Sequence, residues 1–299
     1  MSAKDAPPPL PEPLLVEVAD SHTHLDLQSG TVEEALVKAA AVGVTTVVQV
    51  GCDVKGSQWA AETAAAHENV HAAVALHPNE APRIVLGDPG GTSQPPGAGG
   101  GRSRQGAREG GGDAALDDAL AEIDRLAALP YVRGVGETGL DFFRTGPEGI
   151  AAQERSFRAH IEIAKRHGKA LVIHDREAHA DVLRVLDEEG APERTVFHCY
   201  SGDAAMAEIC AAKGYYMSFA GNVTFKNAQP LRDALAVAPL ELVLVETDAP
   251  FLTPAPYRGR PNAPYLIPVT VRAMAAVRGI GENELAEAIA VNTATAFDY

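Results

Sequence analysis

Apolar residues follow two alternating patterns along this chain, and together they predict strands that alternate with helices. Short continuous apolar runs, such as VTTVVQV at 44–50, are typical of strands buried on both faces. Between these runs, apolar residues recur every three or four positions, which predicts amphipathic helices. The predicted strands span 14–20, 44–50, 70–76, 132–137, 170–174, 195–199, 215–219 and 242–248. The predicted helices span 31–43, 57–69, 113–129, 150–167, 177–189, 203–213, 227–237, 265–278 and 282–297.

Eight buried strands separated by helices predict a parallel sheet, because parallel strands need long crossover connections. This number of strands favours an α/β fold, a closed (β/α)8 TIM barrel, regular or distorted, formed by residues 14–299 as a single domain. An open, doubly wound sheet is the alternative. The chain contains no GxxxxGK[ST] phosphate-binding loop, so nucleotide-binding forms of that alternative lose support.

Two stretches depart from the alternation. Residues 1–13 are rich in proline, and we expect them to form a disordered tail. Residues 87–112 contain 11 glycines and 3 prolines, and alanine is their only other apolar residue type. Such a composition cannot bury a core, so we expect a flexible insertion between the third strand and the following helix.

Charge and cysteine content narrow the class of protein. The 299 residues carry a formal net charge of −15, which argues against a broad basic face that coats nucleic acid. Three widely spaced cysteines, Cys52, Cys199 and Cys210, suggest no disulfide framework and favour a reducing cytoplasm. We find no signal peptide and no membrane-length apolar segment, so we expect a cytoplasmic protein without membrane contact. No obligate protein partner is evident from the sequence.

The stretch VADSHTHLDL at 18–27 places two histidines one residue apart near the end of the first predicted strand. Because alternate residues of a strand share a face, His22 and His24 can chelate one metal ion. Taken alone, the pair could equally be two exposed loop histidines.

Four further ionisable residues stand at the C-terminal ends of other predicted strands: Glu137, His174, His198 and Asp248. In a barrel these ends share one mouth, where active sites lie. Six nitrogen and oxygen ligands exceed the needs of one tetrahedral Zn²⁺, so we predict two divalent cations per chain, Zn²⁺, Mn²⁺ or Mg²⁺. We expect one ion to be held by His22, His24 and Asp248, the other by His174 and His198, with Glu137 as the bridge. Cys199 is expected to face away from His198.

Several motifs in order resemble the TatD family of metal-dependent hydrolases, often called TatD deoxyribonucleases. They are DSHTHLD, GVGETGLDF, IHDREAH, FHCYSGD, SFAGNVTFKNA, VETDAPFLTP and RGRPNAP. The resemblance implies a distorted TIM barrel, divalent metals and hydrolysis of DNA phosphodiester bonds, typically as a 3′→5′ exonuclease. It places the family's metal ligands on the same six residues.

Neighbouring residues are candidates for binding DNA, mainly its single-stranded ends. They are Arg176, Lys226, His77, Arg258 and Arg260. For Arg176 a salt bridge at the barrel rim is an equally good interpretation, and His77 can be a hydrogen-bonded structural histidine. Asp141 and Glu246 are expected to orient the ligands.

The predicted reaction is hydrolysis of a phosphodiester by activated water. Asp248 and Glu137 are the predicted catalytic residues, with Asp248 orienting or deprotonating the water. The same ligands also suit a metallohydrolase of a small ester, amide or lactone, or a D-aminoacyl-tRNA deacylase. A scaffold with a structural metal is disfavoured, because structural sites are closed cages of four ligands.

Overall fold

The computed structural model describes residues 6–87 and 111–299, and its centre is a sheet of eight parallel strands. In chain order, β1 to β8 are Val18–Thr23, Val44–Gly51, Val70–Val74, Val132–Asp141, Ala170–Arg176, Thr195–Phe197, Tyr216–Phe219 and Val243–Val245. Each strand pairs with the next. A parallel bridge between Thr23 and Ala249 joins the two ends of the sheet, so the predicted (β/α)8 barrel is confirmed.

Helices surround the barrel. In chain order, α1 to α10 are Val32–Ala40, Val54–Ala66, Glu80–Leu86, Asp113–Ala127, Pro147–His167, His179–Glu189, Ala204–Ala212, Gln229–Val237, Ile267–Arg278 and Glu282–Phe297. The short helix α3 was not expected from the sequence. Side-chain caps begin three of these helices, with Thr31 before α1, Asp53 before α2 and Asp203 before α7. Within the described ranges, no helix is both long and apolar enough to cross a membrane.

The apolar core occupies both faces of the sheet. The larger cluster, which includes Val47 and Ile173, lies between the strands and the helices. A smaller cluster on the opposite face contains Val48 and Val172, and Phe297 of α10 packs within it. Neighbouring residues of one strand therefore belong to different clusters, as expected for strands buried on both faces.

Glycines allow β4 and β5 to approach closely. A Cβ atom at Gly136 would collide with Val172, and one at Gly139 would collide with the carbonyl oxygen of His174. Gly139 also has φ of +138°, a region that other residues avoid. The sequence GVGETG at 134–139 has the spacing GxGxxG, but it lies inside β4 and opens no helix. It is therefore not a dinucleotide-binding turn.

The predicted N-terminal tail, residues 1–13, lies partly outside the described residues, and its described part contacts the barrel. Arg260 Nε donates to the carbonyl oxygen of Ala6 at 2.9 Å, and the Tyr265 hydroxyl donates to that of Pro8 at 2.8 Å. Arg272 donates to the carbonyl oxygen of Glu12 at 2.9 Å. A proline-rich segment has many backbone carbonyl groups without local hydrogen-bond partners. Here, side chains from the C-terminal third of the chain donate to several of them.

The predicted insertion, residues 87–112, lies mostly outside the described residues. Its two described ends meet. Gly112 N donates to the carbonyl oxygen of Ile84 at 3.3 Å, and the backbone of Gly111 lies against that of Gly87. The chain therefore leaves and re-enters the barrel at one place, between α3 and α4.

Candidate metal centre

The barrel mouth brings together all six residues that were predicted to be metal ligands. His22 lies in β1 and His24 follows it directly. Glu137 and His174 lie in β4 and β5, whereas His198 and Asp248 follow β6 and β8. Parallel strands place their C-terminal ends at the same rim, which is why residues from distant parts of the chain converge there.

Glu137 lies between two groups of histidines. Its Oε2 atom is 3.0 Å from His174 Nδ1 and 2.9 Å from His198 Nε2. Its Oε1 atom faces the other pair, at 3.8 Å from His22 Nε2 and 3.7 Å from His24 Nε2. His77 Nε2 also lies 3.7 Å from Oε2. Each carboxylate oxygen therefore faces a different group of imidazoles, as a bridging ligand would.

Asp248 completes the side of the site that contains His22 and His24, the HxH pair. Its Oδ1 atom is 3.5 Å from His24 Nε2 and 3.9 Å from His22 Nε2. Potential ligand atoms of these three residues all lie within 4.8 Å of one another. The same holds for His22, Glu137 and His198. Such clusters can each hold a divalent cation.

The buried imidazole of His22 indicates that a cation fits here. The side chain is fully buried, and neither ring nitrogen has a hydrogen-bond partner among residues 6–87 and 111–299. Its distances to Glu137 and Asp248 exceed those of a hydrogen bond. A buried polar group without a partner is unfavourable, and an ion bound by Nε2 would satisfy it. Imidazole and carboxylate donors suit Zn²⁺ and Mn²⁺.

Electrostatics also favour cations at this position. Burial alone would raise the pKa of Glu137, but nearby His198 and His174 hold the pKa well below its usual range. Burial tends to lower the pKa of His24, yet Asp248 and Glu137 raise it to about 9. Glu137 is thus anionic and attracts positive charge to the floor of the mouth.

Hydrogen bonds from outside the cluster hold the histidine rings. His198 Nδ1 is 3.3 Å from Glu246 Oε1, which also accepts from Cys199 N at 2.9 Å. His174 Nε2 is 3.3 Å from Asp141 Oδ2. These two carboxylates therefore occupy the orienting positions that the sequence analysis gave them.

Two cysteines also line the site. Cys52, directly after β2, has its Sγ atom 3.3 Å from Glu137 Oε1, and its position at a strand end was the signal that the sequence analysis missed. Cys199 lines the cavity too, so the expectation that it faces away is wrong. Strand β6 ends at Phe197 and Cys199 has φ of +43°, so strand alternation no longer governs its direction.

The candidate substrate residues divide into two groups. Arg176 and His77 line the metal-site cavity, which has a volume of about 460 Å³, and Arg144 joins them. Burial lowers the pKa of His77 to about 3, so its ring is neutral.

The other three candidates do not line this cavity. Arg260 binds the N-terminal segment, and the Arg258 guanidinium lies 3.9 Å from the centre of the Phe225 ring in a neighbouring cavity. Lys226 is exposed outside the metal-site cavity. The loops after β7 and β8 turn these side chains away, which strand-end positions alone did not reveal.

Several known metal-dependent hydrolases are similar to this chain in sequence or in fold. The chain is 43% identical over 266 residues to the uncharacterized metal-dependent hydrolase TatD of Mycobacterium tuberculosis, covering 86% of this chain and 89% of that protein. It is 31% identical to the uncharacterized metal-dependent hydrolase YabD of Bacillus subtilis, covering 93% and 98% of the two chains. The crystal structure of YjjV, a TatD homolog from Escherichia coli, superposes with a TM-score of 0.78 at 25% identity, covering 94% and 98%.

The fold and its likeness to these proteins define a metal-dependent hydrolase built on a (β/α)8 barrel. The sequence profile described as TatD related DNase matches residues 19–298. The chain therefore belongs to the TatD family.

Proposed function

We propose that this chain is a divalent-metal-dependent deoxyribonuclease that removes nucleotides from single-stranded 3′ ends. The observation that carries the proposal is the position of Glu137 between two groups of imidazoles at the base of an open cavity. An open mouth distinguishes this arrangement from a closed structural cage. We further propose that residues 14–299 act as a single domain in the cytoplasm and need no obligate protein partner.

We assign the two cations to two ligand sets. His22, His24 and Asp248 would hold one, His174 and His198 would hold the other, and Glu137 would contribute to both. Divalent cations bound there would polarise the phosphoryl oxygen as a Lewis acid. They would also lower the pKa of a water molecule toward neutral pH.

The chain's own residues supply orientation and proton transfer. Asp248 is only partly buried, and its backbone is fixed by a hydrogen bond from its N–H to the carbonyl oxygen of His22 at 2.9 Å. Its carboxylate is thus held at the cavity wall, where it can orient the attacking water and accept a proton from it. Glu246 and Asp141 keep the rings of His198 and His174 in place.

Arginines in the cavity wall support the substrate class that we propose. Arg176 and Arg144 line the cavity of an otherwise acidic chain, which carries a net charge of −15. A guanidinium group suits a phosphate, whereas the lack of a broad basic surface disfavours wrapping of a duplex. A duplex about 20 Å wide would not enter a cavity of this size, but a single-stranded end can thread into it.

End-labelled oligonucleotides test this proposal directly. We expect the Mn²⁺- or Mg²⁺-loaded protein to release mononucleotides from the 3′ end of linear single strands and to leave a covalently closed single-stranded circle intact. Chelation, or the variant Glu137→Gln, should reduce the rate at least about 100-fold, because the bridge and its negative charge are lost. Glu208→Gln, an exposed carboxylate on α7, serves as the matched control and should retain the full rate.

Two results would contradict the proposal. Rapid cutting of the circle would exclude threading of an end. Inertness toward all DNA, with turnover of a small ester, amide or lactone or of a D-aminoacyl-tRNA, would assign the site to one of those substrates instead.

A further inference from the structure

Arg176 lies at the cavity wall without a carboxylate partner among the described residues. Its guanidinium carbon lies 3.9 Å from the centre of the Phe143 ring. Within residues 6–87 and 111–299, no carboxylate lies within salt-bridge distance of it. By contrast, helix arginines on the outside of the barrel are paired with Asp or Glu: Arg155, Arg158, Arg166 and Arg184. The guanidinium group of Arg176 is therefore held against the Phe143 ring, and no carboxylate of the described residues neutralises its charge.

Phe143 is unusual in its exposure. The side chain is 57% exposed, although a phenylalanine normally contributes to a core. The guanidinium of Arg176 covers one face of its ring. Stacking on a ring leaves the N–H edges of a guanidinium free in its own plane, whereas a carboxylate partner would occupy them. An aromatic support thus holds the cation with its donors available.

The backbone fixes both partners. Asp141 and Arg176 are paired across β4 and β5, and Phe142 N donates to the carbonyl oxygen of Arg176 at 3.0 Å. Asp141 Oδ1 accepts from Arg144 N at 2.9 Å, which closes the turn that carries Phe143. The other oxygen of Asp141 is the one that faces His174. The carboxylate of Asp141 therefore helps to position both His174 and the turn that carries Phe143.

We infer that Phe143 is a positioning residue that holds Arg176 at the cavity wall as a receptor for an oxyanion. The N–H edges of Arg176 bind two oxygens of a phosphate group, as planar guanidinium groups do. The identity of that phosphate as part of DNA rests on the proposed function. The stacked pair itself requires only an anion with two oxygens available.

A double-mutant cycle tests this inference through binding as well as turnover. The probe is inorganic phosphate, titrated calorimetrically into Mn²⁺-loaded protein. Phe143→Leu should weaken phosphate binding about two- to fivefold, which corresponds to about 0.5–1 kcal/mol for a cation–π contact. Phe143→Tyr keeps the aromatic face and should bind as the wild type does. In an Arg176→Met background, Phe143→Leu should have no further effect.

Turnover of bis(p-nitrophenyl) phosphate gives a second readout. Phe143→Leu should raise KM by the same factor and leave kcat unchanged, because the variant alters placement of the anion and not the metal ligands. Phe225→Leu removes an equivalent stacked ring beneath Arg258, in the neighbouring cavity, and is the matched control. It should leave phosphate binding unchanged.

Equal losses from Phe143→Leu with and without Arg176 would overturn the inference, as would a similar loss in Phe143→Tyr. Failure of the wild type to cleave any phosphodiester would count against the proposed function alone, because the phosphate-binding cycle does not depend on turnover.

Discussion

Two buried histidines, His24 and His160, have opposite pKa shifts because carboxylates lie near only one of them. Burial lowers the pKa of both His24 and His160, but the carboxylates near His24 raise that pKa to about 9. His160, on α5, has no such neighbour and its pKa falls to about 4. Its Nε2 accepts from Leu76 N at 3.0 Å, and its Nδ1 donates to the carbonyl oxygen of Ser156 at 2.7 Å. The neutral ring thus joins α5 to the chain just after β3.

This arrangement predicts a loss of stability in mild acid. Between pH 6.5 and about 4 the unfolded chain binds a proton at His160 that the folded chain excludes, so the free energy of unfolding decreases as the pH falls through this window. The total contribution is about 3 kcal/mol. His160→Gln cannot titrate, so denaturant unfolding of this variant should show a smaller decrease over the same range.

The control for this experiment is His67→Gln, which replaces a partly exposed histidine at the end of α2. It should keep the wild-type dependence on pH. If the His160 variant loses as much stability between pH 6.5 and 4 as the wild type, the neutral ring is not the source of the effect.

At the scale of elements, β4 and β5 form the part of the barrel that positions most of the site. These strands carry Glu137, Asp141, His174 and Arg176, and their close contact depends on glycine. Any displacement of one strand from the other moves both the metal-site side chains and the stacked arginine. The requirement for a small residue in β4 is therefore functional as well as structural.

Gly139→Ala should be strongly destabilising. The new Cβ atom would meet the backbone of His174, and alanine at φ of +138° is strained. We expect a decrease of at least about 2 kcal/mol in the free energy of unfolding, measured in urea, together with weaker metal binding. Gly281→Ala, at the N-cap of α10, adds a Cβ atom only 4.0 Å from that of Glu284 at φ of −67°, so it should cost no more than about 1 kcal/mol, the loss expected for an unfavourable N-cap residue. Equal stability of the two variants would contradict the prediction.

The barrel and the residues at its strand ends could be predicted from the sequence, whereas the directions of loop side chains could not. Repeating apolar runs were sufficient for the barrel, and strand ends were sufficient to bring Glu137 and the histidines to one rim. Alternation fails beyond the last paired residue, which is why Cys199 was misplaced. Side chains on long loops, such as Arg258 and Arg260, are directed by contacts with distant segments. No local pattern in the sequence encodes those contacts.

At the scale of the whole molecule, the position of the glycine-rich insertion predicts that it is dispensable for the fold. Its ends meet at Gly87 and Gly111, so a short Gly-Ser turn can replace residues 88–110. A shorter loop lowers the entropic cost of closure by about 1.5 kcal/mol. The melting temperature should therefore stay the same or rise by about 2–4 °C, with turnover of a short oligonucleotide retained.

A variant with residues 88–110 in scrambled order is the control, because it keeps the length and composition of the loop. It should melt as the wild type does. A marked fall in the melting temperature of the shortened variant would mean that the insertion packs against the barrel, contrary to its composition.

The seam of the barrel has a consequence for how the protein is made. Asp20 Oδ1 accepts from Thr247 N across 227 positions of the chain, and Asp248 meets the HxH pair at the same seam. During synthesis, the ribosome releases His22 and His24 long before Asp248. A nascent chain therefore exposes only part of the proposed chelate until the eighth strand docks. Under the proposed assignment, this side of the site would be complete only after the barrel closes, and a chain truncated before residue 247 can neither close its ring nor complete the set.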